Sequence, residues 1–87
     1  MIYSLQFTTQ ALEDLSRLDA AIARRIAEKI EWLAEHFAQI EPETLTGSFA
    51  SLSKLRVGNW RVLYTSDRVQ HTITIHVIDH RSKVYKV

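Results

Sequence analysis

The stretch KLRVGNWRVLY, Lys54 to Tyr64, decides how this chain folds. Two runs of alternating apolar and polar residues flank the dipeptide Gly58-Asn59, and both of these residues tolerate a positive φ. The pattern predicts a β-hairpin with a two-residue turn. Val57 would then lie opposite Trp60, and the two basic residues Arg56 and Arg61 would lie opposite each other.

The two faces of this hairpin differ in chemistry because side chains alternate along a strand. The face expected to contact the core carries Leu55, Val57, Trp60 and Val62. The other face carries Lys54, Arg56, Arg61 and Leu63. Directly opposed like charges cost up to about 1 kcal/mol, so we expect Arg61→Ala to leave stability unchanged or slightly raised. An arginine fork matches phosphate oxygens, and the cationic face predicts either a phosphate-binding surface or an ordinary solvated face.

Upstream of the hairpin, the sequence predicts one strand and two helices. Residues 2–7 alternate and are rich in β-formers. Thr8 or Thr9 offers an N-cap for a short helix over residues 10–18, and Asp19 offers a second cap. The long helix that follows has one apolar stripe and ends before Pro42. The stripe consists of Ile22, Ile26, Ile30, Leu33, Phe37 and Ile40.

Around and after the hairpin, the chain is expected to be a loop (43–51) and three strands (52–57, 60–66 and 72–79), with a short extended piece over 83–86. The predicted fold is a single α+β domain over residues 1–87: strand–helix–helix followed by a three-stranded antiparallel meander, with the helices packed on one sheet face. In the third of these strands, alternation assigns Ile73, Ile75 and Val77 to the core. The opposite face would then receive Thr74, His76, Ile78 and His80, with Arg81 at the strand end. Histidine beside phosphate-binding cations suggests phosphodiester cleavage.

Composition limits the classes of function. Eight acidic and four basic residues precede Gly47, and seven basic and two acidic residues follow it, giving balances of −4 and +5. The basic half favours an anionic partner such as nucleic acid. With no cysteine and only scattered histidines, the sequence predicts no metal site and no cofactor. It shows no signal peptide and no membrane span, so we expect a cytoplasmic protein. Glu41 and Glu43 could approach the site through the predicted loop, but nothing in the sequence requires it.

Three segments in order, LTG, LSKLRVGNWRVLY and ITIHVIDHRSKVY, resemble the RelE/ParE superfamily of bacterial toxins from type II toxin–antitoxin pairs. The resemblance covers nearly the whole chain. The segment GNWRVLY matches a family pattern of glycine, spacer, aromatic residue and Arg-Val-x-Tyr. The segment HRSKVY matches a common ending of the RelE branch, which makes that branch the preferred assignment.

The resemblance implies a ribosome-dependent mRNA endoribonuclease that acts without metal in the ribosomal A site, by attack of the 2′-hydroxyl on the adjacent phosphate. Lys54 matches a catalytic lysine that serves as base or charge stabiliser, and Arg61 matches the arginine that steadies the scissile phosphate. Arg81 matches a general acid or phosphate contact, His80 could supply the acid, and Tyr85 matches the tyrosine that orients the substrate base. Additional RNA contacts are expected from Arg56, Lys83 and Lys86.

The family pattern also implies a cognate antitoxin, bound in a hetero-oligomer, and an apolar helix surface or open sheet edge where it docks. Two positions depart from the pattern: Leu52 replaces a second lysine, and Asp79 stands where many relatives have glycine. Two alternatives stay open. One is a ParE-like toxin that acts on DNA gyrase without these catalytic residues, and the other is a non-toxic module whose basic face docks an acidic protein.

Overall fold

The computed structural model describes residues 2–47 and 51–84, which form two helices and five strands. The elements in chain order are β1 (Ser4–Phe7), α1 (Thr9–Ser16), α2 (Ala20–His36), β2 (Glu43–Thr44), β3 (Ser53–Val57), β4 (Trp60–Asp67) and β5 (Thr72–His80). The strands form one sheet in the order β1-β5-β4-β3-β2. β1 runs parallel to β5, and the other neighbours are antiparallel. The predicted α+β class and element order are confirmed.

Both helices begin at the caps that the sequence indicates. The Thr8 side chain accepts a hydrogen bond from the Ala11 N–H at 3.1 Å. The Asp19 carboxylate accepts one from the Ala21 N–H, also at 3.1 Å. Each cap satisfies an N–H that has no partner within its helix. A 3₁₀ turn at Phe37–Gln39 follows α2, three residues before Pro42.

The hydrophobic core lies between the helices and one face of the sheet. Ile26, Ile30 and Leu33 of α2 and the neighbouring Phe37 are at most 1% exposed. They belong to one cluster with the sheet residues Leu55, Val57, Val62, Tyr64, Ile73, Ile75 and Ile78. Trp60 is half-buried and packs against this cluster. The face of the sheet opposite the helices is called the outer face below; it is not uniformly open, since its residue Leu63 is 1% exposed.

The hairpin has the predicted register. Val57 pairs with Trp60, Arg56 with Arg61, Leu55 with Val62 and Lys54 with Leu63. Gly58 has a φ of 60°, whereas Asn59 is not among the residues with positive φ. A positive φ at only the first central residue is typical of a type II′ turn, which requires glycine there. Because the register holds, Lys54, Arg56 and Arg61 share the outer face.

The predicted alternation is wrong in the second half of β5. Leu63 pairs with Val77 whereas Tyr64 pairs with Ile75, so β5 has one extra residue, His76, between them. A β-bulge of this kind reverses the facing of every later side chain. Ile78, paired with Val62, is thus a core residue, and Val77 and Asp79 lie on the outer face beside Leu63 and Arg61.

Two further local expectations change. The predicted loop at 43–51 contains the short strand β2, because Glu43 and Thr44 pair with Lys54 and Ser53. The expected extended piece at 83–86 is a turn where it is described, since the Lys83 and Val84 N–H groups both donate to the His80 carbonyl. Tyr85 and Lys86 lie outside the described residues.

Candidate nucleic-acid interface

A single carboxylate holds two cations of the outer face. Glu43 Oε2 lies 3.0 Å from Lys54 Nζ and 3.0 Å from Arg56 Nη2. The Lys54 side chain is 20% exposed, whereas those of Arg56 and Glu43 are 60% and 50% exposed. Sequence patterns did not place Glu43 at this site, because its position depends on the pairing of a two-residue strand.

The same contacts keep Glu43 ionised. The hydrogen bond from Lys54 lowers the pKa of Glu43 below its usual value of 4.5, and the bond and charge of Arg56 act in the same direction. Partial desolvation opposes this shift. At neutral pH the site therefore contains a carboxylate between two cations.

Arg61 also stabilises the hairpin turn. Its Nη1 donates to the Gly58 carbonyl at 2.9 Å and to the Trp60 carbonyl at 2.8 Å. The side chain is partly exposed, and its Cα partner on β5 is Asp79. The turn carbonyls lose this donor if Arg61 is removed. We therefore expect Arg61→Ala to destabilise the fold, contrary to the expectation from charge crowding alone.

The hairpin turn brings further arginines together. The Arg81 N–H donates to the Asn59 carbonyl at 2.8 Å, which places the exposed Arg81 at the end of β5 beside the turn. From the helix side, Arg25 Nη2 would lie 3.2 Å from a Cβ added at Gly58. Arg25, Arg61 and the backbone of Arg81 thus all lie next to the turn. No periodicity in the sequence could have identified Arg25, since it belongs to the solvated side of a helix.

His80 does not lie on the outer face, contrary to prediction. Its partner across the strands is Trp60, and the two rings meet edge to face with centroids 5.5 Å apart. Nδ1 of His80 is 2.9 Å from the Ser82 hydroxyl and accepts the Ser82 N–H at 3.2 Å. The bulge in β5 is the cause of this reversal. His80 remains near the arginines only because it lies at the strand end, next to Arg81.

Of the other predicted site residues, Lys83 is exposed on the turn after β5. Tyr85 and Lys86 fall in the part of the chain that is not described, so their roles stay predictions. Within residues 2–47 and 51–84, no group of three or more His, Cys, Asp or Glu side chains is arranged to hold a metal ion. No helix in those ranges is long and apolar enough to cross a membrane.

The fold and the candidate site define a small α+β protein with two helices packed on one face of a five-stranded sheet and cations on the other. Residues 5–85 match the family model described as ParE toxin of type II toxin-antitoxin system, parDE. The chain is 31% identical over 90 residues to Toxin RelG of Mycobacterium tuberculosis, with 99% of each chain covered.

Solved structures agree with this match. A chain of the toxin–antitoxin complex RelBE2 from Mycobacterium tuberculosis superposes with a TM-score of 0.84 at 28% identity, covering 95% of both chains. A chain of the archaeal RelE–RelB complex from Pyrococcus horikoshii gives 0.73 at 24% identity, with 97% of this chain and 100% of that one covered. The latter supports the fold alone. The protein belongs to the RelE/ParE superfamily of toxins from toxin–antitoxin systems.

Proposed function

We propose that this protein is a ribosome-dependent, metal-independent mRNA endoribonuclease of the RelE type that inhibits translation in the cytoplasm. The observation that carries this proposal is the placement of Lys54, Arg56 and Arg61 on one open sheet face, with Arg81 at its end. Four cations around one surface suit the charge that accumulates on a phosphate during cleavage. Arg61 and Arg56, directly opposite each other, would hold the scissile phosphate.

In this proposal Glu43 accepts the proton of the attacking 2′-hydroxyl. A phosphate that binds Arg56 competes for the guanidinium that Glu43 now contacts at 3.0 Å. Displacement would release a carboxylate beside the phosphate, where it can act as a general base. Lys54 would then neutralise the pentacovalent phosphate, and His80 or Arg81 at the end of β5 would protonate the leaving 5′-oxygen. Tyr85 is proposed to orient the substrate base.

We also propose a cognate antitoxin as the partner, because structures of several relatives are toxin–antitoxin complexes. Two features of the described residues support a docking surface. Trp32 on α2 is 38% exposed and lines a shallow groove of about 280 Å³ with Lys29 and Val57. Among residues 2–47 and 51–84, β2 pairs with Ser53 and Lys54 alone, so beyond these two residues β3 has an edge that can accept an added strand.

A second candidate function is inhibition of DNA gyrase, since the matching family model is described as ParE toxin. The pairing of Lys54 and Arg56 with Glu43 also favours this alternative, because a face already neutralised attracts a phosphate less strongly. The two candidates differ in the process that stops first in the cell.

The test is expression of the protein alone from an inducible promoter, with uptake of labelled amino acids and labelled thymidine measured in parallel. We expect amino-acid incorporation to fall within minutes and thymidine incorporation to follow later. An Arg56→Ala/Arg61→Ala variant, expressed to the same level, should prevent both effects. If thymidine incorporation falls first, the gyrase alternative is correct, and unimpaired growth at confirmed expression would rule out both toxin activities.

A further inference from the structure

A polar cleft of about 440 Å³ opens at the end of the sheet away from the hairpin turn. The proposed cleavage site does not use it. Its lining comes from β1, β4, β5 and the connection between the last two, and consists of Gln6, Thr65, Ser66, Asp67, Gln70, Thr72 and Thr74. All seven side chains are polar, in contrast to the apolar core that lies directly beneath the sheet.

The cleft belongs to the outer face. Gln6, Thr74 and Thr65 are Cα partners across β1, β5 and β4, so their side chains stand in one row. The flanking residues Tyr64 and Ile75 point into the core and are at most 1% exposed. Because neighbouring side chains alternate, the row faces the same side as Arg61 and Lys54.

The lining is neutral except for Asp67, and that carboxylate already has backbone partners. Its Oδ1 accepts the N–H groups of Val69 and Gln70 at 2.9 and 3.0 Å. The remaining groups are hydroxyls and carboxamides, which both donate and accept hydrogen bonds. With no lysine or arginine among the described lining residues, the cleft suits a neutral polar ligand rather than a phosphate.

One of these hydroxyls is fixed in position. Thr65 Oγ1 lies 2.9 Å from Nε2 of His76, the extra residue of the bulge in β5. The bulge therefore provides a half-buried imidazole that orients the cleft hydroxyl nearest to the cations. A fixed hydroxyl discriminates between donor and acceptor groups better than a freely rotating one does.

The spacing between cleft and cations matches a nucleic-acid strand. Thr65 follows Arg61 by four residues on β4, or about 13 Å at ~3.3 Å per residue. A stacked strand advances about 3.4 Å per nucleotide, so this distance corresponds to about four stacked nucleotides and to fewer extended ones. Leu63 lies between the two sites on the same face and is 1% exposed, so a bound strand would contact the residues that cover Leu63 rather than Leu63 itself.

We infer that the polar cleft is a base-reading subsite, which binds one nucleobase of the RNA a few nucleotides from the phosphate held by Arg61. Thr65, Thr74 and Gln6 would hydrogen-bond to the edge of that base, and the arginines would fix its phosphate neighbours. The inference rests on the proposed function, since it assumes that the outer face binds RNA. It deepens that function by locating the residues that determine a sequence preference.

The experiment is cleavage of a randomised mRNA pool on purified ribosomes by the purified full-length toxin, with the cut ends sequenced. The wild type should show a base preference at one position two to four nucleotides from the cut. Thr65→Val/Thr74→Val keeps the β-branched shape but removes two hydroxyls. It should reduce that preference about three- to tenfold, as expected for the loss of one or two hydrogen bonds.

Two controls separate recognition from folding. Thr65→Ser/Thr74→Ser retains the hydroxyls and should retain the preference. Thr9→Val makes the same chemical change on the exposed start of α1 and should change nothing. Thermal unfolding of each variant establishes that it is folded at the assay temperature.

The outcomes distinguish this inference from the proposed function. Cleavage by the wild type without any preference at these positions overturns the inference alone. The inference is also overturned if Thr65→Val/Thr74→Val leaves the preference unchanged. It is overturned as well if Thr65→Ser/Thr74→Ser reduces the preference as much as the valine variant does. If the wild type does not cut ribosome-bound mRNA at all, the proposed function fails and the inference fails with it.

Discussion

Glu43 is the residue at which the structure most changes the interpretation of this site. Its carboxylate lies between Lys54 and Arg56, at 3.0 Å from each, and both contacts oppose its protonation. It competes with phosphate for the two cations, and it is also the proposed proton acceptor. These two roles predict opposite effects on binding and on turnover when the charge is removed.

Glu43→Gln should therefore strengthen RNA binding and slow cleavage. Exposed ion pairs are weak, so removal of the competitor should lower KM for ribosome-bound mRNA by no more than about fivefold. Loss of a general base should lower kcat by roughly 10²–10⁴. Both constants are measurable by primer extension on stalled ribosomes. Glu41→Gln, an equivalent change two residues upstream, is the control, and an unchanged kcat in Glu43→Gln would leave Glu43 as a competitor only.

The stability of the fold should also depend on pH through Glu43. Because its folded-state pKa is lowered, ionised Glu43 stabilises the fold at pH values above the usual carboxyl pKa. That contribution is lost as pH falls through the folded-state pKa.

The hairpin β3–β4 is the element that organises the site. Its turn is closed by the Arg61 side chain as well as by the backbone, and Arg81 is attached to it through Asn59. Arg61, which is proposed to bind phosphate, thus also stabilises the turn to which Arg81 is attached. An Arg61 variant would therefore lose activity for two reasons, the lost phosphate contact and the weakened turn. A measurement of stability distinguishes the two.

Arg61→Ala should lower the free energy of unfolding by about 1 kcal/mol, because two turn carbonyls lose a charged donor in a partly exposed setting. For a domain of this size the midpoint of thermal unfolding should fall by about 4–8 °C. Arg56→Ala is the matched control: it relieves the same cross-strand repulsion, but its guanidinium contacts Glu43 rather than the turn. Equal midpoints for the two variants would show that the hydrogen bonds from Arg61 to the turn carbonyls do not stabilise the hairpin.

At the scale of the whole molecule, an open sheet face cannot by itself hold an RNA strand in line for attack. The described cations lie on a surface rather than in an enclosed cavity, and under the proposed function the ribosome would supply the geometry of the scissile nucleotides. The basic half contributes most of the cations, but the acidic half also reaches the outer face, where Glu43 contacts Lys54 and Arg56.

Cleavage by the intact toxin on ribosomes should therefore leave a 2′,3′-cyclic phosphate or 3′-phosphate and a 5′-hydroxyl. It should persist when EDTA is added under conditions that keep the ribosome assembled, and naked RNA should be cut slowly or not at all. End-labelling with and without phosphatase treatment identifies the termini. A 5′-phosphate product would show that water was the nucleophile, and the 2′-hydroxyl mechanism would then be wrong.

The sequence by itself determined the features that local physics controls. Thr8 and Asp19 cap the helices because their side chains reach N–H groups three and two residues away. Gly58 fixes a two-residue turn, and with it the register that puts Lys54, Arg56 and Arg61 on one face. These outcomes depend on neighbours within a few residues, so the pattern alone predicts them.

Only the tertiary structure decided where His80 and Glu43 lie. A single extra residue at His76 moves His80 to the side of Trp60, and no periodicity indicates where a strand adds a residue to fit its neighbour. Glu43 reaches Lys54 because a two-residue strand completes the sheet edge, a pairing too short to leave a signal in the sequence. Both positions are set by contacts between distant parts of the chain, and the candidate chemistry depends on those contacts.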